Sequence, residues 1–273
     1  MANAAVPYSA HIGYLFTELP FKDRIEAAKR HGFSAVEYPA PYDTPASEMA
    51  ERLALAGLPY VQFGLRSGNA ESGEKGLAIF PERREEFRAS VEEGLLYAQT
   101  IGVKLLHAMA GVLPQSARTP DHWRQYIENL SYAADAAEQK GVTILVEPMC
   151  QQAVPEYFIQ TPDQAVEAIA ATGRKNIRLL FDVFHTVSAG FDLFTQIAKH
   201  GSLIGHVHIS DVPGRHEPGS GTLNFTRLDV AFREIGYCGF FGCEYVPRAG
   251  TVEGLDWLDG ARVERPTCVA NPR

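Results

Sequence analysis

A chain of 273 residues with 45% hydrophobic and 21% charged positions can bury a large core, which excludes a disordered or fibrous protein. Its net charge of −8 argues against a nucleic-acid binder, because neutralising phosphates takes clustered Lys and Arg. No run of about 18 apolar residues occurs, and Met1 to Ala10 lack a basic segment followed by an apolar one, so neither membrane insertion nor secretion is expected.

From Tyr8 onward, short apolar runs alternate with longer amphipathic segments, the pattern of parallel βα units. The first strand is expected over Tyr8 to Phe16, followed by a helix from Pro20 to His31 with proline at its start and Gly32 just past its end. Ala35 to Tyr38 reads as the second strand, Pro45 to Ala56 as a helix stopped by Gly57, and Tyr60 to Leu65 as the third strand. The connection Arg66 to Pro81 is glycine-rich and long, the mark of a functional loop or lid or of a surface excursion. Glu82 to Ile101 places Phe87, Val91, Leu95 and Ala98 at helical spacing and ends at Gly102.

Lys104 to Met109 is the fourth strand, Asp121 to Lys140 a helix, and Thr143 to Glu147 the fifth strand. Asp163 to Ala171 and Phe191 to His200 read as helices flanking a sixth strand, Ile177 to Asp182. A seventh strand over Ile204 to Ser210 points His206 and His208 to one side and Val207 and Ile209 to the other. Phe225 to Ile235 is a helix, Phe240 to Tyr245 the eighth strand, and Val252 to Leu258 a last helical stretch. Eight βα units close naturally into a barrel, and no G-x-G-x-x-G follows the first strand to favour a doubly wound sheet. The expected fold is therefore α/β, a single (β/α)8 TIM barrel over residues 1–258 with an irregular tail over 259–273.

Barrel strands are covered on both faces, so their polar residues are informative. Glu147, Asp182, His208 and Glu244 fall at or near the carboxyl ends of strands five to eight, where barrel active sites are built. Any one of them alone reads as an ion-pair partner. Together, three crowded carboxylates repel unless a cation neutralises them, and an oxygen-rich set with one imidazole suits Mg²⁺ or Mn²⁺ before Zn²⁺, Co²⁺ or Fe²⁺. His185 lies three residues past Asp182, and His107 and Glu37 lie at similar depth on strands four and two. Arg215 and Arg66 are the best-placed cations for a substrate carboxylate, which a guanidinium grips bidentately. The loop Arg215 to Gly221, with a cation, a histidine, a carboxylate and glycines, has the composition of a segment closing over a small anion. The four cysteines, Cys150, Cys238, Cys243 and Cys268, form no CxxC pair and are expected as reduced thiols in a cytoplasmic protein.

The motifs Val146-Glu147-Pro148, Phe181-Asp182-Val183-Phe184-His185, Gly205-His206-Val207-His208, Arg215-His216-Glu217-Pro218-Gly219 and Gly242-Cys243-Glu244-Tyr245-Val246-Pro247 together resemble the hydroxypyruvate isomerase family of xylose-isomerase-like barrels. Leu15-Phe16-Thr17-Glu18, Pro41-Tyr42-Asp43 and Gly73-Glu74-Lys75-Gly76-Leu77 extend the resemblance over nearly the whole chain to about Leu258. It implies that Glu147 and Glu244 are the catalytic proton donor and acceptor, and that Glu147, Asp182, His208 and Glu244 ring a divalent metal. It also implies that His185 and Arg215 face the substrate. Close relatives carry glutamine at the position of His208, whereas the related ketose epimerases carry histidine there. The run His107 to Val112 is closer to the 2-oxo-tetronate isomerase branch.

The implied reaction moves a proton between adjacent carbons of hydroxypyruvate to give tartronate semialdehyde through an enediolate. Alternatives are the same chemistry on 2-oxo-tetronate, 3-epimerisation of a neutral ketose, the abasic-DNA endonucleases of this barrel superfamily, which call for more histidines and a basic face, and a barrel that binds a sugar acid without turnover. The expected partner is a small carboxylate, with no nucleic acid and no membrane, and apolar residues on outer helices leave room for a homo-oligomer.

Overall fold

Short runs of Val, Ile, Leu and Phe pair in parallel because each strand is walled by neighbours on one side and helices on the other. The structure is a computed structural model describing residues 3–5, 7–260 and 264–266. Eight strands form the sheet: β1 (Tyr8–His11), β2 (Ala35–Glu37), β3 (Gln62–Gly64), β4 (Leu105–His107), β5 (Thr143–Val146), β6 (Ile177–Asp182), β7 (Ile204–Ile209) and β8 (Phe241–Cys243). They are bonded in the order β2-β1-β8-β7-β6-β5-β4-β3. The remaining gap is bridged where Val36 meets Tyr60, with Val61 N donating to Val36 O at 2.9 Å. The sheet is thus the expected barrel.

Helices α1 (Phe21–Arg30), α2 (Ala46–Ala56), α3 (Arg84–Ile101), α4 (Pro120–Glu138), α5 (Pro162–Thr172), α6 (Val183–Ser188), α7 (Leu193–His200), α8 (Phe225–Glu234) and α9 (Asp256–Gly260) alternate with the strands. Gly57 and Gly102 adopt left-handed conformations at the ends of α2 and α3, as expected, and Gly173 does the same at the end of α5. Thr161 and Gln164 form a capping box at α5. No helix among the described residues is long and apolar enough to cross a membrane.

Three expectations need correction, and one helix is added. The first strand ends at His11 rather than Phe16, because Tyr14 and Leu15 both turn back to donate to His11 O; Ile12, Leu15 and Phe16 are buried all the same, so an apolar run there marks a packed turn. The segment after Asp182 holds the short helix α6, which Asp182 caps by accepting from His185 N at 2.9 Å. The tail expected to be irregular contributes Glu264–Pro266, which pairs antiparallel with Asn3–Ala5; residues 261–263 and 267–273, Cys268 included, lie outside the described residues. Cys150 and Cys243 are free thiols, but Cys238 is disulfide-bonded, against the expectation of four reduced thiols.

One irregularity positions the site. Between β6 and β7 the register steps from Leu179 opposite Ile204 to Leu180 opposite His206, leaving Gly205 bulged. A Cβ at Gly205 would lie 2.5 Å from Arg178 Cβ, so only glycine fits the bulge. The step sets Asp182 level with His208.

Candidate active site

The carboxyl ends of the strands open into a cavity of about 480 Å³, lined by His11, Tyr14, Arg66, Lys75, His107, Glu147, His185, His208, Arg215 and Glu244 among others. That volume suits a small ligand. At its floor the ligand-type atoms of Glu147, Asp182, His208 and Glu244 all lie within 4.8 Å of one another. Strands β5 to β8 thus bring together the four residues that the sequence placed at their ends.

His208 is held from beneath. Its Nε2 is 2.8 Å from Glu37 Oε1, while Nδ1 is 3.0 Å from Glu244 Oε2 and 3.8 Å from Glu147 Oε1. Glu37 is fully buried and its other oxygen accepts from Ser9 Oγ at 2.7 Å and pairs with His206 Nε2 at 3.0 Å. A carboxylate behind an imidazole fixes which nitrogen faces forward. Glu37, placed by the sequence at similar depth on the second strand, therefore anchors the two histidines of β7.

Among the described residues, Glu147 Oε1 is buried without a hydrogen-bond partner. Buried polar atoms are costly to leave unsatisfied, and three carboxylates with one imidazole are a coherent donor set for a divalent cation. The residues present therefore fit a metal, with Glu147, Asp182, His208 and Glu244 as its holders.

The charges are unequal. Burial opposes ionisation of Glu244, yet Arg215 and His208 outweigh it and hold the carboxyl well below its ordinary range. Burial works the same way on Glu147, where His208 and His107 prevail and lower it. For Asp182 burial wins and raises the carboxyl. Burial disfavours the His208 imidazolium, but Glu244 and Glu37 on either side raise it well above an ordinary histidine.

The other expected residues separate. Arg215 Nη2 donates to Glu244 Oε2 at 2.7 Å and Asp182 Oδ2 at 3.2 Å, and its guanidinium lies over the rings of Phe184 and Tyr14. Its Nε is buried and unpartnered. His107 Nδ1 is 3.6 Å from Glu147 Oε2, and burial keeps this imidazole below its ordinary pKa. His185 lines the cavity beside the ring, its Nδ1 3.3 Å from Cys150 Sγ and its Nε2 3.9 Å from Asp182 Oδ2.

Arg66 stands apart. It reaches the cavity wall but is clasped by Glu93 at 2.5 and 2.7 Å and stacked on Tyr42. His11, which the sequence reading passed over, comes within 3.7 Å of Glu244 Oε1. It ends β1 as the four ligands end their strands, but the strand expected to run on to Phe16 hid that position in the sequence.

A family model described as a xylose isomerase-like TIM barrel matches residues 25–261. The chain is 38% identical over 251 residues to a 2-oxo-tetronate isomerase of Cupriavidus necator, covering 92% of this chain and 96% of that one. It is 32% identical over 255 residues to the hydroxypyruvate isomerase of Escherichia coli, covering 93% and 99%. A crystal structure named as an AP endonuclease, family 2, from Brucella melitensis superposes with a TM-score of 0.92 at 36% identity, covering 94% of this chain and all of that one. The closed parallel barrel, the cluster at its carboxyl end and these similarities agree: this chain belongs to the xylose isomerase-like TIM barrel family.

Proposed function

We propose that the protein is a divalent-metal-dependent isomerase of a small hydroxy or oxo acid, interconverting hydroxypyruvate and tartronate semialdehyde. The observation that carries this reading is the pair of glutamates, Glu147 and Glu244, 3.8 and 3.0 Å from His208 Nδ1 and lining one cavity. Both are held as carboxylates at neutral pH, so either can take a carbon-bound proton.

The reaction needs one proton taken from carbon, one returned to the neighbouring carbon, and an exchange of hydroxyl and carbonyl between them. One glutamate removes a proton from C3 of hydroxypyruvate and the electron pair forms the C2–C3 double bond of an enediolate; the other takes the C3 hydroxyl proton and delivers it to C2 as the C3 carbonyl forms, and the first passes its proton to the C2 oxygen, so both end as carboxylates. Arg215, with Nε and Nη1 still free to donate, steadies the developing oxyanion beside Glu244. A divalent ion held by Glu147, Asp182, His208 and Glu244 supplies Lewis-acid stabilisation of that charge; oxygen ligands favour Mg²⁺ or Mn²⁺. His107, against Glu147, and His185, against Asp182, keep those carboxylates oriented.

A second substrate of the same chemistry, 2-oxo-tetronate, is supported by the run His107 to Val112 and by the name of the Cupriavidus relative. The name of the Brucella structure suggests phosphodiester cleavage, but the net charge of −8 and a single imidazole in the ring speak against a DNA substrate.

Proton NMR in D₂O tests the proposal, with Mg²⁺ or Mn²⁺ and each acid in a separate tube. Conversion that EDTA abolishes, with deuterium entering the product carbon, is the expected result. No conversion of either acid, with turnover of a neutral ketose instead, would overturn it.

A further inference from the structure

An anionic substrate needs a cation for its carboxylate, and the two arginines of the cavity are tied to other groups, Arg66 to Glu93 and Arg215 to the carboxylates at the reacting end. Arg66 is gripped through two hydrogen bonds by Glu93, and Arg215 spends Nη2 on Asp182 and Glu244. The third cation on the cavity wall is Lys75. Among the described residues its ammonium makes no ion pair and no side-chain hydrogen bond. The neighbouring Glu74, the nearest carboxylate in sequence, is turned away to Arg83 Nη1 at 2.5 Å and Asn69 N at 2.6 Å.

The loop that carries Lys75 is pinned on both sides. Glu74 latches it to Asn69 and Arg83. Gly76, at φ 115°, lies so close to the backbone after β4 that a Cβ there would meet Met109 O at 2.2 Å; it bridges Ala110 and donates to Ser67 O at 2.9 Å. Leu77, Ala78 and Ile79 are then buried. A long arm with an uncompensated charge is thus presented from a fixed backbone at the mouth, while the paired glutamates sit at the floor.

We infer that Lys75 is the carboxylate-binding residue of the site, holding small anionic acids with the carboxylate toward the cavity mouth and the reacting carbons toward Glu147 and Glu244. Selection for an acid over a neutral sugar then resides in the Arg66 to Pro81 loop. The inference rests on the isomerase reading for the identity of the reacting end, but its binding step stands alone.

The experiment is calorimetric titration of D-glycerate, which has the charge of the proposed substrates and does not isomerise, into Mg²⁺-loaded wild-type, Lys75→Gln and Lys75→Arg proteins at low and high salt. Lys75→Gln should raise Kd threefold or more at low salt, Lys75→Arg should restore most of the affinity, and high salt should erase the difference because the pair is exposed to solvent. Dihydroxyacetone, the neutral counterpart of hydroxypyruvate, should bind wild type and Lys75→Gln equally. A change below threefold for D-glycerate, or wild-type protein that does not bind it, overturns the inference. Turnover of hydroxypyruvate with D-glycerate binding unaffected by Lys75→Gln sinks this inference alone, whereas Lys75-dependent binding without turnover of any 2-oxo acid sinks only the isomerase reading.

Discussion

Glu147 and Glu244 illustrate how one residue type takes its role from its surroundings. Both are carboxylates forced to ionise against burial by cationic neighbours, as a proton acceptor near neutral pH requires. Glu147→Gln and Glu244→Gln should each lower kcat by about 10²–10⁴-fold while circular dichroism and Tm stay close to wild type; near-normal turnover in a folded variant would remove the residue from the chemistry. Glu37 acts one step further out, through His208 Nε2. Glu37→Gln should weaken metal binding by about 10–100-fold, read by competition with a chromophoric chelator. An unchanged metal affinity would leave Glu37 a purely structural partner of Ser9 and His206. These assignments were unequally legible. The strand-end rule picked out four ring residues without a structure, but Arg66 looked equally available until Glu93, on a facing helix, claimed it.

At the scale of elements, the bulge at Gly205 and the clamp at Gly76 do similar work: each lets backbone approach where a side chain would collide. Gly76→Ala should destabilise the protein by about 1–3 kcal/mol, because a Cβ at φ 115° meets Met109 O. Urea denaturation would show the lower midpoint, and limited proteolysis should cut the loop between Arg66 and Pro81 faster than in wild type. A midpoint equal to wild type would mean that the loop is not held at Gly76. Seven of the helices were legible to within a residue or two because their apolar spacing and glycine stops are local, whereas the stretch expected over Val252 to Leu258 is a 3-10 turn, Val252–Gly254, followed by α9. Helix α6 was not legible, since six residues cannot show a helical period and its start is defined by the Asp182 cap.

For the whole molecule, a divalent ion held by the ring would link metal binding to folding. Charges converging from four strands repel unless balanced, so an ion that binds only the folded barrel should stabilise it by about 2.7 kcal/mol at a hundredfold excess over Kd. A calorimetric scan should show Tm several degrees higher with Mg²⁺ or Mn²⁺ and the gain reversed by EDTA; identical scans would argue against ligation by the ring. The linkage has a sign in pH. His208 holds its proton well above an ordinary histidine, and ligation through Nδ1 requires that proton to leave. The metal-dependent gain in Tm should therefore be full above that raised range and shrink as pH falls through it toward and below neutral.

What the sequence determined by itself was local in origin: the alternation of strand and helix, the count of eight βα units, and the polar residues that interrupt otherwise apolar strand ends. Periodicity and strand-end position survive in a linear string because each is set by residues within one or two turns of each other. The tertiary structure alone decided which of those polar groups meet. Glu37 and His206 are 169 residues apart, and they touch because β2 and β7 face across a closed barrel whose register is shifted by one bulged glycine. Arg66 was taken up by α3, Arg215 was drawn down to the ring, and Lys75 was left free at the mouth. Barrel closure, register and helix packing set those distances, and none of the three has a local signature in the chain.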